Sequence, residues 1–164
     1  MLTKLGSIEN TFRTYDLEVI AGNPNLEAIQ VEDKVKFKVN IAKVYWCSRL
    51  SSERDRMIDK YFKDGDVLLD MFCGIGPLAV KAAVKKKIKV LASDLNPDCY
   101  HYLKENIRLN KVDKQVIPFN MDAREFARFA VNPPESAKIP EDFLKFTHIY
   151  MNLPADALEF LDVF

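Results

Sequence analysis

The chain has 164 residues, which sets the expectation at one domain able to bury about 70% of the surface its unfolded form exposes. Hydrophobic residues make up 48% and charged residues 29%, the proportions of an ordinary soluble globular protein rather than a disordered or fibrous one. The 24 Lys and Arg equal the 24 Asp and Glu, so bulk charge lends nothing to nucleic-acid binding, and any basic contact surface has to come from clustering on one face.

Residues 17–46 read as β structure. In KVKFKVNI, Val35, Phe37, Val39 and Ile41 alternate with Lys34, Lys36, Lys38 and Asn40, the period of a half-buried strand. AGNPN (21–25) supplies the turn between that strand and the LEVI strand before it. Ser51 or Ser52 is expected to N-cap a helix with Met57, Ile58, Tyr61 and Phe62 on one face, closed by Lys63, Asp64 and Gly65. A new rhythm then begins. VLLDMF (67–72) is a short buried strand, and Pro77 suits the first turn of a helix over LAVKAAVKKK. KVLASD (89–94) is a second strand, and Pro97 opens a helix through Leu109. QVIPFNMD (115–122) is a third strand, followed by a short helix over AREFARFA and a loop (131–142) with three prolines. HIYMN (148–152) is a fourth strand, and ADALEFLDVF begins a helix.

Strands alternating with helices predict an α/β fold, a parallel sheet covered by helices on both faces. The expected boundaries are a β-rich segment over 1–50 and the α/β domain over 51–164. Ending one helix after the fourth strand leaves that strand on an edge or nearly so, from which further strands are expected downstream.

The segment Asp70-Met71-Phe72-Cys73-Gly74-Ile75-Gly76-Pro77 joins a buried strand to a helix through two glycines. In a doubly wound sheet this turn lies at the carboxyl edge, where ligands bind, and glycine lets the backbone approach them closely. The spacing Gly74-x-Gly76-x-x-Ala79, with Asp94 about 20 residues on, also satisfies the dinucleotide fingerprint. Asp70 and Pro77 count against it. A carboxylate at the strand end suits an ammonium and repels a pyrophosphate, and Pro77 removes an N–H that phosphate binding exploits. Asp122 with Ala123 closes the third strand, and Asn152-Leu153-Pro154 the fourth. Singly, Asp94 and Asp122 are as well read as helix caps and Asn152 as a loop former. Together, polar residues at successive strand ends outline one groove across the sheet.

The order FRTYDLEVIAG, YWCSRLSSER, DMFCGIGP, DLNPDCYHYLKENIRLN, FNMDAREF and MNLPADALEFLD resembles the tRNA (guanine-N1)-methyltransferases that modify position 37. The resemblance runs through essentially all of the chain; that family's amino-terminal tRNA-docking domain and last sheet strands have no counterpart in it. It implies a class I, Rossmann-like methyltransferase fold, S-adenosylmethionine as cofactor and tRNA as partner. It also implies residue roles. Arg49, Asp70, Phe72, Gly74 and Gly76 would contact the cofactor, Asp94 and Leu95 its ribose, and Asp122 and Ala123 the adenine edge. Asn152 would lie beside the methyl donor. Glu53 takes the general base's place and Arg13 that of the arginine holding the target guanine. On their own residues, Glu53 reads as first-turn helix charge and Arg13 as a surface residue.

The chemistry suits those types. Guanine N1 is a poor nucleophile until it loses its proton, which a placed carboxylate can take, and a guanidinium stabilises the charge that then spreads onto O6. Four rivals remain: aminocarboxypropyl transfer to tRNA in wybutosine synthesis, methylation of adenine or carbon, a nicotinamide dehydrogenase, against which Asp70 and Pro77 count, and a non-catalytic cofactor- or tRNA-binding module. Leu153 and Ala155 depart from the Asn-Pro-Pro-aromatic turn of the adenine enzymes. Lys85, Lys86, Lys87 and Lys89 read as a solvated run. Cys47, Cys73 and Cys99 form no CxxC pair, which fits reduced thiols better than a disulfide framework or a zinc site, so no metal is expected. No apolar run approaches a membrane span, and MLTKLGSIENTF lacks a secretory apolar stretch. The expectation is a cytoplasmic monomer, with nuclear or mitochondrial pools if the cell is eukaryotic.

Overall fold

Alternating side chains build the amino-terminal part. Val35, Phe37 and Val39 are buried on one side of β4 (Val35–Asn40), while its lysines reach solvent wholly or partly. The structure is a computed structural model describing residues 1–6 and 10–164. In it β4 pairs antiparallel with β3 (Glu27–Glu32), register Glu32 to Val35. The two-residue turn is Asp33-Lys34, with φ of 47° and 69°, the left-handed pair that matches the twist of a hairpin. A second hairpin joins β1 (Leu2–Leu5) to β2 (Asp16–Val19). AGNPN therefore links two hairpins, not the LEVI strand to the Val35 strand. β3 escapes the alternation because Ala28, Ile29, Gln30 and Val31 are all exposed.

Helix α1 (Ser51–Tyr61) follows a 3₁₀ turn, Ser48–Leu50. Its N-cap is Leu50, with no side-chain cap, so Ser51 and Ser52 do not serve as caps. Ser51 is turned instead to the core, where its Oγ lies 3.1 Å from Lys81 Nζ.

The sheet comprises β5 (Val67–Asp70), β6 (Lys89–Ser93), β7 (Val116–Phe119) and β8 (His148–Tyr150). All neighbours are parallel, in the order β7-β6-β5-β8. Helices α2 (Ala79–Lys86), α3 (Pro97–Leu109) and α4 (Ala123–Val131) follow the first three strands. Pro77 lies just outside α2, whose N-cap is Leu78. The cap of α3 is Asn96, which accepts from the Asp98 N–H at 2.9 Å, so Asp94 is free of that duty. Residues after β8 form 3₁₀ turns over Ala157–Val163 rather than the expected helix, and none of them is buried. Only Phe160 and Val163 pack, partly buried, against the core, which leaves an α-helix there little apolar face to bury.

Successive residues on β5 and β6 feed two cores. Leu68, Val90 and Ala92 pack with α1, α2, α3 and the inner row of β4. Leu69 and Leu91 pack with Phe126, Ala127 and Ala130 of α4 on the other face. The sheet is thus covered on both sides, as its continuous apolar strands require. The chain leaves β5 in one direction through β6 and β7, then returns to place β8 on the other side. The crevice beyond the carboxyl ends of β5 and β8 is such a sheet's preferred ligand position.

Candidate active site

The turn after β5 is held open by its own backbone. The Cys73 N–H donates to the Ser93 carbonyl at 2.9 Å, and the Gly76 N–H to the Cys73 carbonyl at 2.9 Å. Gly74 and Gly76 have φ of 56° and 85°, which glycine adopts without strain. A Cβ on Gly76 would stand 2.5 Å from Leu103 Cδ1, so close packing of α3 demands this glycine. A Cβ on Gly74 would meet nothing within 4 Å, because Gly74 faces a cavity.

That cavity, about 1030 Å³, runs along the carboxyl edge of the sheet. It brings together Arg13, Asp70, Phe72, Gly74, Asp94, Leu95, Asp122, Ala123 and Asn152. Gly76, Arg49 and Glu53 lie outside its lining.

Asp70 is the unusual member. It is only 1% exposed, and its Oδ1 has no hydrogen-bond partner among the described residues. Burial, with Asp94 nearby, pushes its carboxyl up to about 8, against the opposing pull of the Phe72 N–H. Tyr150, at the end of β8, is raised to about 12 by burial and by Asp70. A buried acid with an empty oxygen at a cavity wall is poised for a cation.

Asp94 accepts from the Gly74 N–H at 2.8 Å and the Asn96 N–H at 2.9 Å, tying the glycine turn to β6. Burial raises its carboxyl, and those two N–H groups oppose the rise. Asp122 caps α4, accepting from the N–H groups of Arg124 (2.9 Å) and Glu125 (3.3 Å). Capping and lining the cavity therefore coincide in one residue. Phe72 meets Phe160 edge-on at 4.9 Å. Leu95 and Asn152 are exposed at the mouth.

Arg13 crosses that mouth. Its Nη2 donates to the Pro154 carbonyl at 3.0 Å and to Asp156 Oδ2 at 2.9 Å, joining the segment before β2 to the loop after β8. Both sides carry left-handed non-glycine backbone, Arg13 at φ 54° and Ala155 at 75°, a conformation that costs energy.

Glu53 sits on the solvent side of α1, gripped by Arg56 at 2.8 and 2.7 Å. That hydrogen bonding holds its carboxyl below the usual range. Arg49 is exposed in the 3₁₀ turn beside Cys47. Burial raises the Cys47 thiol, but the N–H groups of Arg49 and Leu50 and the Arg49 side chain outweigh it and leave the thiol lowered.

Sequence reasoning missed Arg54, which lines the cavity while remaining 7% exposed. Leu50, Arg54 and Ile58 recur at the four-residue helical spacing, a signal masked by the charge at its centre. Tyr15 was missed as well; it stands 6.0 Å from Tyr45 between ring centroids, and both rings line the cavity.

The groups present fit a ligand with a cationic amino-acid arm better than a dinucleotide. The unpartnered Asp70 oxygen offers an ammonium its counter-charge and would repel a pyrophosphate.

The chain is similar to proteins of known description. A tRNA (guanine(37)-N(1))-methyltransferase of Phytophthora infestans is 48% identical over 164 residues, which is 100% of this chain and 37% of that protein. The structure described as a complex of aTrm5 and tRNALeu superposes with a TM-score of 0.79 at 34% identity, covering 98% of this chain and 43% of that one. M. jannaschii TYW2 in complex with AdoMet gives 0.69 at 30% identity, covering 90% of this chain and 60% of that one. This chain thus spans little more than a third of its curated relative. The model of the TRM5/TYW2 methyltransferase domain matches residues 28–164, and the chain belongs to that family.

Proposed function

We propose that this chain is the cofactor-binding and methyl-transferring part of an enzyme that moves a methyl group from S-adenosylmethionine to N1 of guanosine 37 in tRNA. The observation that carries the reading is the unpartnered, buried Asp70 carboxylate at the end of β5, in a chain 48% identical throughout to a protein of that named activity.

Asp70 would hold the ammonium of the cofactor's amino-acid arm. Asp94 and Leu95 would meet its ribose, and Asp122 with Ala123 its adenine edge. When bound, the cofactor supplies an electrophilic methyl group on a sulfonium. Tyr15 and Tyr45 offer flat faces for the guanine, as unstacked bases generally need. Arg13, turned from Asp156, would stabilise negative charge on O6. Glu53, outside the cavity lining on the solvent side of α1, would have to turn from Arg56 toward the mouth to take the N1 proton, and Asn152 would steady N1. N1 would take that methyl group in exchange for its proton, which would pass to the Glu53 carboxylate, leaving the cofactor as its thioether. Orientation supplies much of the acceleration.

The test is a chimera in which this chain replaces the matching segment of the Phytophthora infestans relative, incubated with unmodified tRNA transcript and S-adenosylmethionine. Nucleoside mass spectrometry should find 1-methylguanosine at position 37. Finding an aminocarboxypropyl adduct, or no product from a folded chimera that binds S-adenosylhomocysteine, overturns the reading.

A further inference from the structure

Behind the cavity wall lies a chain of buried charges that none of the proposed catalytic steps uses. Lys81, in the middle of α2, has a side chain 0% exposed. Its ammonium lies 2.8 Å from Asp55 Oδ2 and 3.1 Å from Ser51 Oγ on α1, and 3.7 Å from Glu32 Oε2 at the end of β3. Glu32, 6% exposed, accepts both bonds of a fork from Arg54 Nη1, at 3.0 and 2.8 Å. The other arm of Arg54, Nη2, donates to the Cys47 carbonyl at 2.9 Å, and its guanidinium carbon stands 5.5 Å from the centre of the Trp46 ring. Trp46 in turn packs 5.5 Å from Phe37 of β4.

Burying three such charges is expensive unless each is paired and hydrogen-bonded, and an apolar core of the same volume is often as stable or more so. Stability alone gives no reason for the arrangement. Its geometry supplies one: Arg54, itself at the edge of the cavity lining, grips residues 45–47 by a carbonyl and a ring, and Tyr45, Trp46 and Cys47 form one wall of the cavity. We infer that Lys81, Glu32 and Arg54 are positioning residues, a buried clamp that fixes residues 45–47 for the acceptor base and leaves the cofactor end of the cavity untouched. The inference rests on the proposed methyl transfer only in naming the occupant of that wall. Arg54 is suited to the task because its planar fork engages Glu32 and Cys47 together, which a lysine cannot do.

Trp46 is the sole tryptophan of the chain, so its fluorescence reports on the wall directly. Two variants are made: Arg54→Lys, which keeps a charge for Glu32, and Glu32→Met with Arg54→Met, which removes the pair together. In both, acrylamide quenching of Trp46 should rise roughly twofold or more as the ring loses its packing, while affinity for S-adenosylhomocysteine stays unchanged. In the chimera described above, the same variants should raise the KM for tRNA about tenfold with the KM for S-adenosylmethionine unmoved, since only the acceptor wall is loosened. A merely structural role would move both constants together. If Trp46 is as shielded as before in either folded variant, or if cofactor affinity falls in step with tRNA, the clamp is disproved. A parent chimera that makes no 1-methylguanosine would remove the proposed reaction, while the quenching result would still decide the clamp.

Discussion

Asp70 and Glu53 are two carboxylates pushed in opposite directions. Asp70 rises from an ordinary 3.8 to about 8 through burial. Its folded value lies above its unfolded one, so the folded chain holds this proton more tightly. That contribution to stability is complete below pH 3.8 and is lost as pH climbs to about 8. Asp70→Asn should therefore flatten the pH dependence of urea unfolding and stabilise the empty protein most at pH 8 and above, where Asp70 is ionised. Equal slopes for the two proteins would show that Asp70 is not the group titrating. A cationic ligand arm replaces the proton, so S-adenosylhomocysteine should bind more weakly to the Asn variant at pH 8. Glu53 is lowered by Arg56, which keeps it ionised to lower pH. Glu53→Gln should reduce methyl transfer in the chimera by about 10²–10⁴-fold with cofactor affinity retained. Arg56→Ala should move the acid limb of the rate profile to higher pH. Full activity of the Gln variant removes Glu53 as the base.

Two contacts decide how the elements meet. Gly76 lets α3 come within reach of the glycine turn, and a methyl there collides with Leu103 and Val80, the latter at 3.0 Å. Its φ of 85° adds backbone strain for any other residue. Gly76→Ala should cost about 2–4 kcal/mol, read by urea denaturation, and weaken the cofactor site as the turn shifts. Asn106 of α3 is wholly buried and bridges three backbone groups. Its Oδ1 accepts from the Lys38 N–H at 2.7 Å, and its Nδ2 donates to the carbonyls of Lys38 (3.2 Å) and Ile75 (3.1 Å). One side chain thus ties the β3–β4 hairpin to the glycine turn. Asn106→Ala leaves those groups unpaired and should cost about 2–3 kcal/mol. Amide exchange should accelerate first in β3 and β4; uniform acceleration across the sheet would argue against a local tie.

At the scale of the molecule, the four strands and their two cores place a large cavity at the carboxyl edge. A ligand that binds only the folded form stabilises it by about 2.7 kcal/mol at a hundredfold excess over its Kd. For a chain of this size that corresponds to a melting-temperature rise of roughly 5–10 °C. S-adenosylhomocysteine should produce such a rise and NAD none, since the unpartnered Asp70 oxygen on the cavity wall suits an ammonium and not a pyrophosphate. A shift with NAD instead would restore the dinucleotide reading that the glycine spacing leaves open.

Local patterns were enough for the order of strands and helices from residue 67 through the fourth strand, though not for the 3₁₀ turns after it, and for the glycine turn and the polar strand ends, because each is written within a few consecutive residues. α3 begins at Pro97 and ends at Leu109 as the sequence implies. β3 was legible only as part of the β region over 17–46: Ile29 and Val31 alternate with Gln30 and Glu32, but both are exposed, and pairing with β4 sets the strand's bounds. Ser51 carries the composition of a cap, yet a buried lysine thirty residues away claims its hydroxyl. Glu53 and Arg54 are adjacent in sequence, but one helical step turns the first to solvent and the second to the cavity. Which of two neighbouring charges faces inward, and which carboxylate loses its water, depends on partners far along the chain. Distance in space made that choice, and no local window contains it.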